Sequence, residues 1–199
     1  MQVKLPTRAK NILIDGQPRV GKTTAVQRVL SLAKVRCGGF FSQAISKQFY
    51  TNFRLVSVQG PHRSVSSQEL LRRFDIPGVI GFNLEDLENF GNPAVLHALE
   101  TCDVVVIDQL GTLEVSSEKF RRVVDRVLAS DKVCLATVTS SNVPYIEAIR
   151  KRPDVSIYDI NGSNRMLLPE LIAAHMHQLV WAQERAEAAL SCPSGEAGA

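Results

Sequence analysis

The stretch "GQPRVGKTT", residues 16–24, is the feature that most constrains the fold of this chain. It fits the pattern G-x-x-x-x-G-K-[ST], in which backbone N–H groups and a lysine surround phosphate. The apolar run "NILID" precedes it and the helix-like run "KTTAVQRVLSLAK" follows it, as the phosphate-binding role of such a loop requires. The sequence therefore predicts a buried strand, a phosphate-binding loop and a helix that runs from Lys22 to about Lys34.

Each residue type in the loop has its own role in binding a nucleotide. Glycines allow backbone conformations that turn successive N–H groups inward, and the start of the helix adds its positive dipole end. Lys22 is expected to pair with the β and γ phosphates, and the Thr23 hydroxyl to bind Mg²⁺. The predicted nucleotide-binding residues of the loop are Gly16, Gln17, Pro18, Arg19, Val20, Gly21, Lys22, Thr23 and Thr24.

Strand-like runs alternate with amphipathic helical stretches through most of the chain. The near-continuous apolar segments 104–107 and 133–138 are typical of central parallel strands that are covered on both faces. The segment "GGFFSQAISKQFYTNFRLVSVQG" instead predicts an antiparallel hairpin with a polar turn around residues 47–52. The chain is therefore predicted to have an α/β fold of the P-loop class, with a mainly parallel central sheet flanked by helices and an added antiparallel hairpin.

The length and composition favour one domain. A chain of 199 residues that is 45% hydrophobic and 22% charged can bury one sizeable core, predicted here to span residues 1–190, with a disordered tail at 191–199. Within it we expect a helix near residues 94–100 and a long amphipathic helix that begins around Leu168. The turn-rich segment 60–92 has two interpretations, a mobile cover over the site or a plain surface loop.

The charge pattern and the N-terminal sequence exclude several classes of partner. The N-terminus "MQVKLPTRAK" lacks an apolar signal core, and no apolar run approaches the length of a membrane span, so we expect a cytoplasmic protein that does not enter a membrane. The net charge of +3 is too mild to indicate nucleic acid. The short basic clusters at residues 72–73, 121–122 and 150–152 are more typical of solvated helix faces. A protein partner is not identified by the sequence.

The segment "CDVVVIDQLG" supplies the second acid that a P-loop protein needs for its metal. Asp108 stands at the carboxyl end of an apolar strand, where it is predicted to bind Mg²⁺ directly or through water. Gln109 follows, and an amide can orient water but cannot take a proton from it. Glu114 has two interpretations, a displaced catalytic base or a solvated acid in a loop.

Arg19 is the unusual residue of the loop, and two interpretations stay open for it. Its side chain could leave the loop for solvent or for a carboxylate such as Asp15. Alternatively, it could fold over the γ-phosphate and stabilise the charge that develops in the transition state.

The chain resembles the cancer-related nucleoside-triphosphatase family of small P-loop enzymes over residues 11 to about 172. The resemblance is carried by "GQPRVGKTT", "GGFFSQ" with "FRLVSVQG", "PGVIGFNLEDLENFG", "VVVIDQLGTLE", "SEKFRRVV", "ATV" and "NRMLLPELI", in this order. It implies a Mg²⁺-dependent enzyme that removes the terminal phosphate of ATP, GTP and other nucleotides. It also implies that Asp108 binds the metal and that Asn164 and Arg165, which match an "NR" motif, lie near the base or phosphates. Glu114 matches a glutamate in the stretch after the second acidic motif.

Three positions depart from the pattern of the family that the chain resembles. Gln109 stands where a glutamate is usual, Arg19 where glycine is usual, and Asp15 where a neutral residue, often threonine, is usual. Glutamine in place of that glutamate commonly preserves nucleotide binding in P-loop ATPases and slows hydrolysis severely.

Three functions follow from these residues as hypotheses. The first is a Mg²⁺-dependent nucleoside triphosphatase, slow because of Gln109. The second is a nucleotide-binding switch or sensor with negligible hydrolysis, and the third is a P-loop kinase. The predicted catalytic residues are Lys22, Asp108, Gln109, Arg19 and Glu114.

Overall fold

The protein is represented by a computed structural model that describes residues 9–47, 50–59, 84–139 and 142–191. Within these residues, six strands form one sheet in the order β3-β2-β4-β5-β1-β6. The strands are β1 (Asn11–Gly16), β2 (Cys37–Lys47), β3 (Tyr50–Gln59), β4 (Val104–Leu110), β5 (Val133–Thr139) and β6 (Val155–Asp159). The helices are α1 (Lys22–Leu32), α2 (Leu84–Asp86), α3 (Asn92–Thr101), α4 (Glu118–Ala129), α5 (Pro144–Arg150) and α6 (Leu168–Ser191).

The strand pairing confirms the predicted fold class. Strands β2 and β3 form an antiparallel hairpin, and every other neighbouring pair in the sheet is parallel. The turn of the hairpin is shorter than predicted, because β2 continues to Lys47 and β3 already begins at Tyr50. Parallel pairing places the carboxyl ends of β1, β4 and β5 at one edge of the sheet, and this edge is where the candidate site lies.

Both faces of the sheet are covered by helices, as the apolar central strands predict. Alternate residues of β4 point to opposite layers. Val105 and Ile107 belong to a core shared with helices α3, α4 and α5, in which Phe120 is fully buried. Val104 and Val106 belong to a second core shared with α1 and α6. The sheet is therefore the middle of three layers, which fixes the strand ends that carry the site.

Part of the segment predicted as a cover or surface loop is helical. Residues 60–83 lie outside the described residues. Helix α2 continues through a π-helical turn at Leu87–Gly91 directly into α3. Leu87 is fully buried beneath it. For residues 84–92 the prediction of a cover or loop is therefore wrong, because an apolar side chain fixes this stretch to the core.

The long helix predicted near the end of the chain is present as α6, which ends at Ser191. Residues 192–199, most of the predicted tail, lie outside the described residues. Among the helices of the described part of the chain, none has the length and apolar character needed to cross a membrane.

Candidate active site

The loop between β1 and α1 has the geometry of a phosphate cradle. Gly21 precedes α1 with φ at +107°, in the left-handed region that favours glycine. The first-turn N–H groups of α1 point back into the loop because a helix leaves them without internal partners. Gln17, Pro18 and Arg19 are exposed, so the loop is open to solvent on its outer side.

Lys22 lies on the inner side of this loop and is buried. Its Nζ donates hydrogen bonds to the backbone oxygens of Gly16, at 2.7 Å, and Gln17, at 3.0 Å. Burial lowers the pKa of Lys22, and the negative charges of Asp108 and Asp15 oppose this shift. The ammonium group is therefore held inside the cradle and near the acid of β4.

Arg19 adopts a backbone conformation that a side chain disfavours. Its φ is +64°, within the left-handed region, and the side chain is exposed. Asp15, one of the alternatives for its partner, is paired with Arg150 at 2.8 Å. The structure therefore does not support an Arg19–Asp15 pair, and the alternatives of solvent and γ-phosphate remain.

Asp108 lies at the end of β4 beside the loop, with only 1% of its surface exposed. The Thr137 hydroxyl of the neighbouring strand donates a hydrogen bond to its Oδ1, and the Thr23 hydroxyl also interacts with the carboxylate. Burial raises the pKa of Asp108, whereas these two hydroxyl groups act in the opposite direction. Thr137 was not predicted as a site residue. Its signals in the sequence are a hydroxyl within the apolar run of β5 and its place in the "ATV" segment that carries the family resemblance.

The oxygen atoms around Asp108 fit a hard divalent cation. Its Oδ2 is buried and has no hydrogen-bond partner among the described residues. A buried carboxylate oxygen without a donor is a strong acceptor for a cation, and Mg²⁺ prefers oxygen ligands. Asp108 and Thr23, the two residues predicted to bind the metal, lie together in the structure.

Glu114 is buried beside Gln109. The chain turns after β4 so that the Glu114 carboxyl group returns toward the strand end, with 6% of the residue exposed. Nε2 of Gln109 donates a long hydrogen bond of 3.4 Å to its Oε1. A Cβ atom at Gly111 would overlap Oε2 of Glu114, so the carboxyl group would have to move if this glycine carried a side chain. The interpretation of Glu114 as a solvated loop acid is therefore wrong.

The surroundings of Glu114 favour its neutral form. Burial is the largest cause that raises its pKa above the ordinary 4.5, and the charge of Asp108 acts in the same direction. Backbone N–H groups and the Gln109 amide partly oppose the shift. A carboxylate with a raised pKa is a stronger proton acceptor, which is the property that a general base requires.

We expect Glu114→Gln to raise the free energy of unfolding at pH 7.5 and to leave it nearly unchanged at pH 4. Because the folded pKa exceeds the unfolded one, the stability contributed by the neutral carboxyl group is present below pH 4.5 and is lost as the pH rises through the folded pKa. A glutamine is neutral at every pH and avoids this loss. Urea unfolding at both pH values measures the difference, and a variant less stable than the wild type at pH 7.5 contradicts the expectation.

The predicted "NR" residues lie in the loop between β6 and α6. Oδ1 of Asn164 accepts a hydrogen bond from the Asn161 N–H at 2.8 Å, and its Nδ2 donates to the Asp159 carbonyl at 2.7 Å. The Asn164 side chain therefore shapes the loop itself. Arg165 is exposed, and its contact with a nucleotide stays a prediction.

The loop, its buried lysine and the aspartate of a parallel strand beside it define a P-loop nucleotide-binding protein. Comparison of the sequence with protein families gives a match to the NTPase family over residues 11–173. The chain belongs to this family, as its resemblance predicts.

Individual relatives agree with this assignment. The nucleoside-triphosphatase THEP1 of Thermotoga maritima is 33% identical over 169 residues, which cover 81% of this chain and 93% of the relative. The cancer-related nucleoside-triphosphatase homolog of Mus musculus is 29% identical over 184 residues, or 83% of this chain and 96% of the relative. The crystal structure of THEP1 from the hyperthermophile Aquifex aeolicus is similar with a TM-score of 0.65 and 28% identity, covering 81% of this chain and 96% of that one.

Proposed function

We propose that this chain is a Mg²⁺-dependent nucleoside triphosphatase that hydrolyses the β-γ phosphate bond of ATP or GTP. The observation that carries the proposal is the buried carboxyl group of Glu114, which contacts Gln109 directly after the metal-binding candidate Asp108. The names of the relatives as nucleoside-triphosphatases support the same reaction. A cytoplasmic location remains our prediction from the sequence.

Substrate binding is assigned to the loop and to the end of β4. The loop amides and the Lys22 ammonium group bind the β and γ phosphates, because both present positive charge toward the inside of the cradle. The Thr23 hydroxyl and the Asp108 carboxylate would hold Mg²⁺, which supplies charge neutralisation on the phosphate oxygens when bound. Thr137 keeps the Asp108 carboxylate in a fixed orientation.

Catalysis is assigned to Gln109 and Glu114 acting on one water molecule. The Gln109 amide orients the water, and the Glu114 carboxylate accepts one of its protons as the oxygen attacks the γ-phosphorus. The bond between the γ-phosphorus and the β-γ bridging oxygen breaks, and the nucleoside diphosphate leaves with the electron pair. Gln109 therefore need not act as a base, because the buried acid five residues later takes that role.

Single-turnover phosphate release from ATP and GTP tests the proposal. With Mg²⁺ we expect free phosphate and the nucleoside diphosphate as products, and with excess EDTA we expect neither. The absence of phosphate release from both nucleotides in the presence of Mg²⁺ overturns the proposal.

A nucleotide-binding switch is the second candidate, and Gln109 favours it because an amide cannot deprotonate water. If the chain is such a switch, it is expected to bind MgATP tightly and to release negligible phosphate under the same single-turnover conditions. A kinase, the third candidate, produces a phosphorylated acceptor instead of free phosphate.

Arg19→Gly is expected to raise the free energy of unfolding by about 1 kcal/mol, because glycine adopts the left-handed backbone of this position without a Cβ clash. We also expect single-turnover phosphate release to fall by roughly tenfold or more, because a strained residue in the loop is typical of a functional position. Arg19→Ala is the control, because it removes the guanidinium group but retains the Cβ atom. It therefore separates the loss of the charged group from the relief of the backbone strain. Phosphate release at the wild-type rate in both variants supports the alternative in which Arg19 only meets solvent.

A further inference from the structure

Arg150, the last residue of α5, connects three parts of the molecule next to the phosphate-binding loop. Its Nε donates a hydrogen bond of 3.0 Å to Oδ2 of Asp15, and its Nη2 lies 2.8 Å from the same oxygen. Nη2 also donates to the Thr139 carbonyl at the end of β5, at 3.0 Å. Nη1 is paired with Glu147 of its own helix.

The burial of this arginine was not predicted from the sequence. Its side chain is 15% exposed, so the interpretation of residues 150–152 as a solvated face is wrong at Arg150. The carboxylate of β1 draws the guanidinium inward. Arg152, in contrast, is 37% exposed and paired with Asp154 at 2.7 Å, away from the loop.

Asp15 is the residue immediately before the first glycine of the loop. Its Oδ1 accepts a hydrogen bond of 2.7 Å from the Gly16 N–H, so the carboxylate fixes the backbone where the chain leaves β1. The carboxylate is 13% exposed, and its charge acts on Lys22 inside the cradle. A negative charge at this place opposes the binding of a polyanion unless a cation neutralises it.

We propose that Arg150 is a positioning residue for the phosphate-binding loop. Arg150 holds the Asp15 carboxylate against the Gly16 N–H and links Asp15 to the end of β5. It also neutralises the negative charge of Asp15, which would otherwise repel a bound triphosphate. This inference rests on the proposed triphosphate site. Arg150 itself acts through Asp15 and is not assigned a contact with the substrate.

The test is a double-mutant cycle on ATP affinity in the presence of Mg²⁺. Arg150→Met leaves Asp15 without this counter-charge and is expected to weaken ATP binding roughly tenfold or more. Asp15→Asn retains an oxygen atom for the Gly16 N–H and removes the charge. The double variant Asp15→Asn/Arg150→Met is therefore expected to recover part of the lost ATP affinity, because the uncompensated charge is gone, but not all of it, because the link to the Thr139 carbonyl is still missing. Arg152→Met, the matched control, is expected to stay within about twofold.

Hydrogen exchange of the peptide that spans residues 13–22, measured without nucleotide, tests the positioning independently of binding. We expect faster exchange in Arg150→Met and unchanged exchange in Arg152→Met. Equal ATP affinity of Arg150→Met and Arg152→Met, or a double variant no better than Arg150→Met, overturns the inference. If the wild type binds no ATP, the proposed function fails, and the exchange comparison still decides whether Arg150 orders the loop.

Discussion

Replacing Glu114 with glutamine is expected to lower single-turnover phosphate release about 10³-fold while ATP affinity changes less than about threefold. The variant retains the size of the side chain and an oxygen acceptor in the space left by Gly111, but it cannot accept a proton. Binding is preserved because the phosphates are assigned to the loop, whereas the Glu114 carboxyl group contacts Gln109. Rapid mixing with ATP and Mg²⁺ measures the rate.

Two further variants make this result specific. Glu118→Gln changes an exposed glutamate four residues later, which is paired with Arg122, and we expect phosphate release at the wild-type rate. The exchange variant Gln109→Glu/Glu114→Gln moves the carboxylate to the residue after Asp108, and we expect it to recover part of the rate lost in Glu114→Gln. Phosphate release by Glu114→Gln at the rate of the wild type rejects Glu114 as the base.

The pKa of Glu114 adds a pH dependence to this prediction. Because burial raises this pKa, the wild-type rate is expected to fall as the pH drops through a value above 4.5, where the carboxylate takes up a proton. The stability of Glu114→Gln is expected to be higher than that of the wild type at pH 7.5. Loss of activity together with a gain of stability distinguishes a catalytic role from a structural one.

The conformation of the loop half of the candidate site was predictable because its determinants are local. The motif sets a strand, a loop and a helix in one stretch of chain, so Lys22 and Thr23 follow from their spacing. Asp108 follows from a second local signal, an acid at the end of an apolar strand. Parallel pairing then brings the two strand ends to one edge of the sheet, where the structure places Thr23 beside Asp108.

The rest of the site depends on contacts that sequence spacing does not encode. Asp15 and Arg150 are 135 residues apart, and a cluster of three basic residues looks like a solvated helix face until its partner is known. The Glu114 carboxyl group is buried close to Gly111, where a Cβ atom would overlap it, and the sequence alone does not show this approach. Residues 84–92 are fixed to the core by the burial of Leu87 and by Phe90, which packs against the same core, and the spacing of the sequence does not reveal these contacts.

Lys22→Ala is expected to weaken ATP binding by about 10²-fold or more and to abolish phosphate release, because the ammonium group is the one assigned to the β and γ phosphates. Lys10→Ala is the matched control. Its Nζ also donates to a backbone oxygen, that of Leu128 at 2.9 Å, and burial lowers the pKa of Lys10 as it does that of Lys22. The two lysines therefore differ in location, and only Lys22 lies within the loop.

If the phosphates bind where the loop predicts, Lys10→Ala loses stability and retains ATP affinity, whereas Lys22→Ala loses affinity. Isothermal titration with ATP and urea unfolding on both variants separate these effects. Equal affinity of the two variants contradicts the assignment of the loop.

The Glu114 and Lys22 variants together separate the groups that bind ATP from the group that accepts a proton. The Glu114 variant is expected to bind ATP without hydrolysing it, and the Lys22 variant is expected to lose ATP binding itself. Only a triphosphatase site with separate groups for binding and proton transfer gives both results.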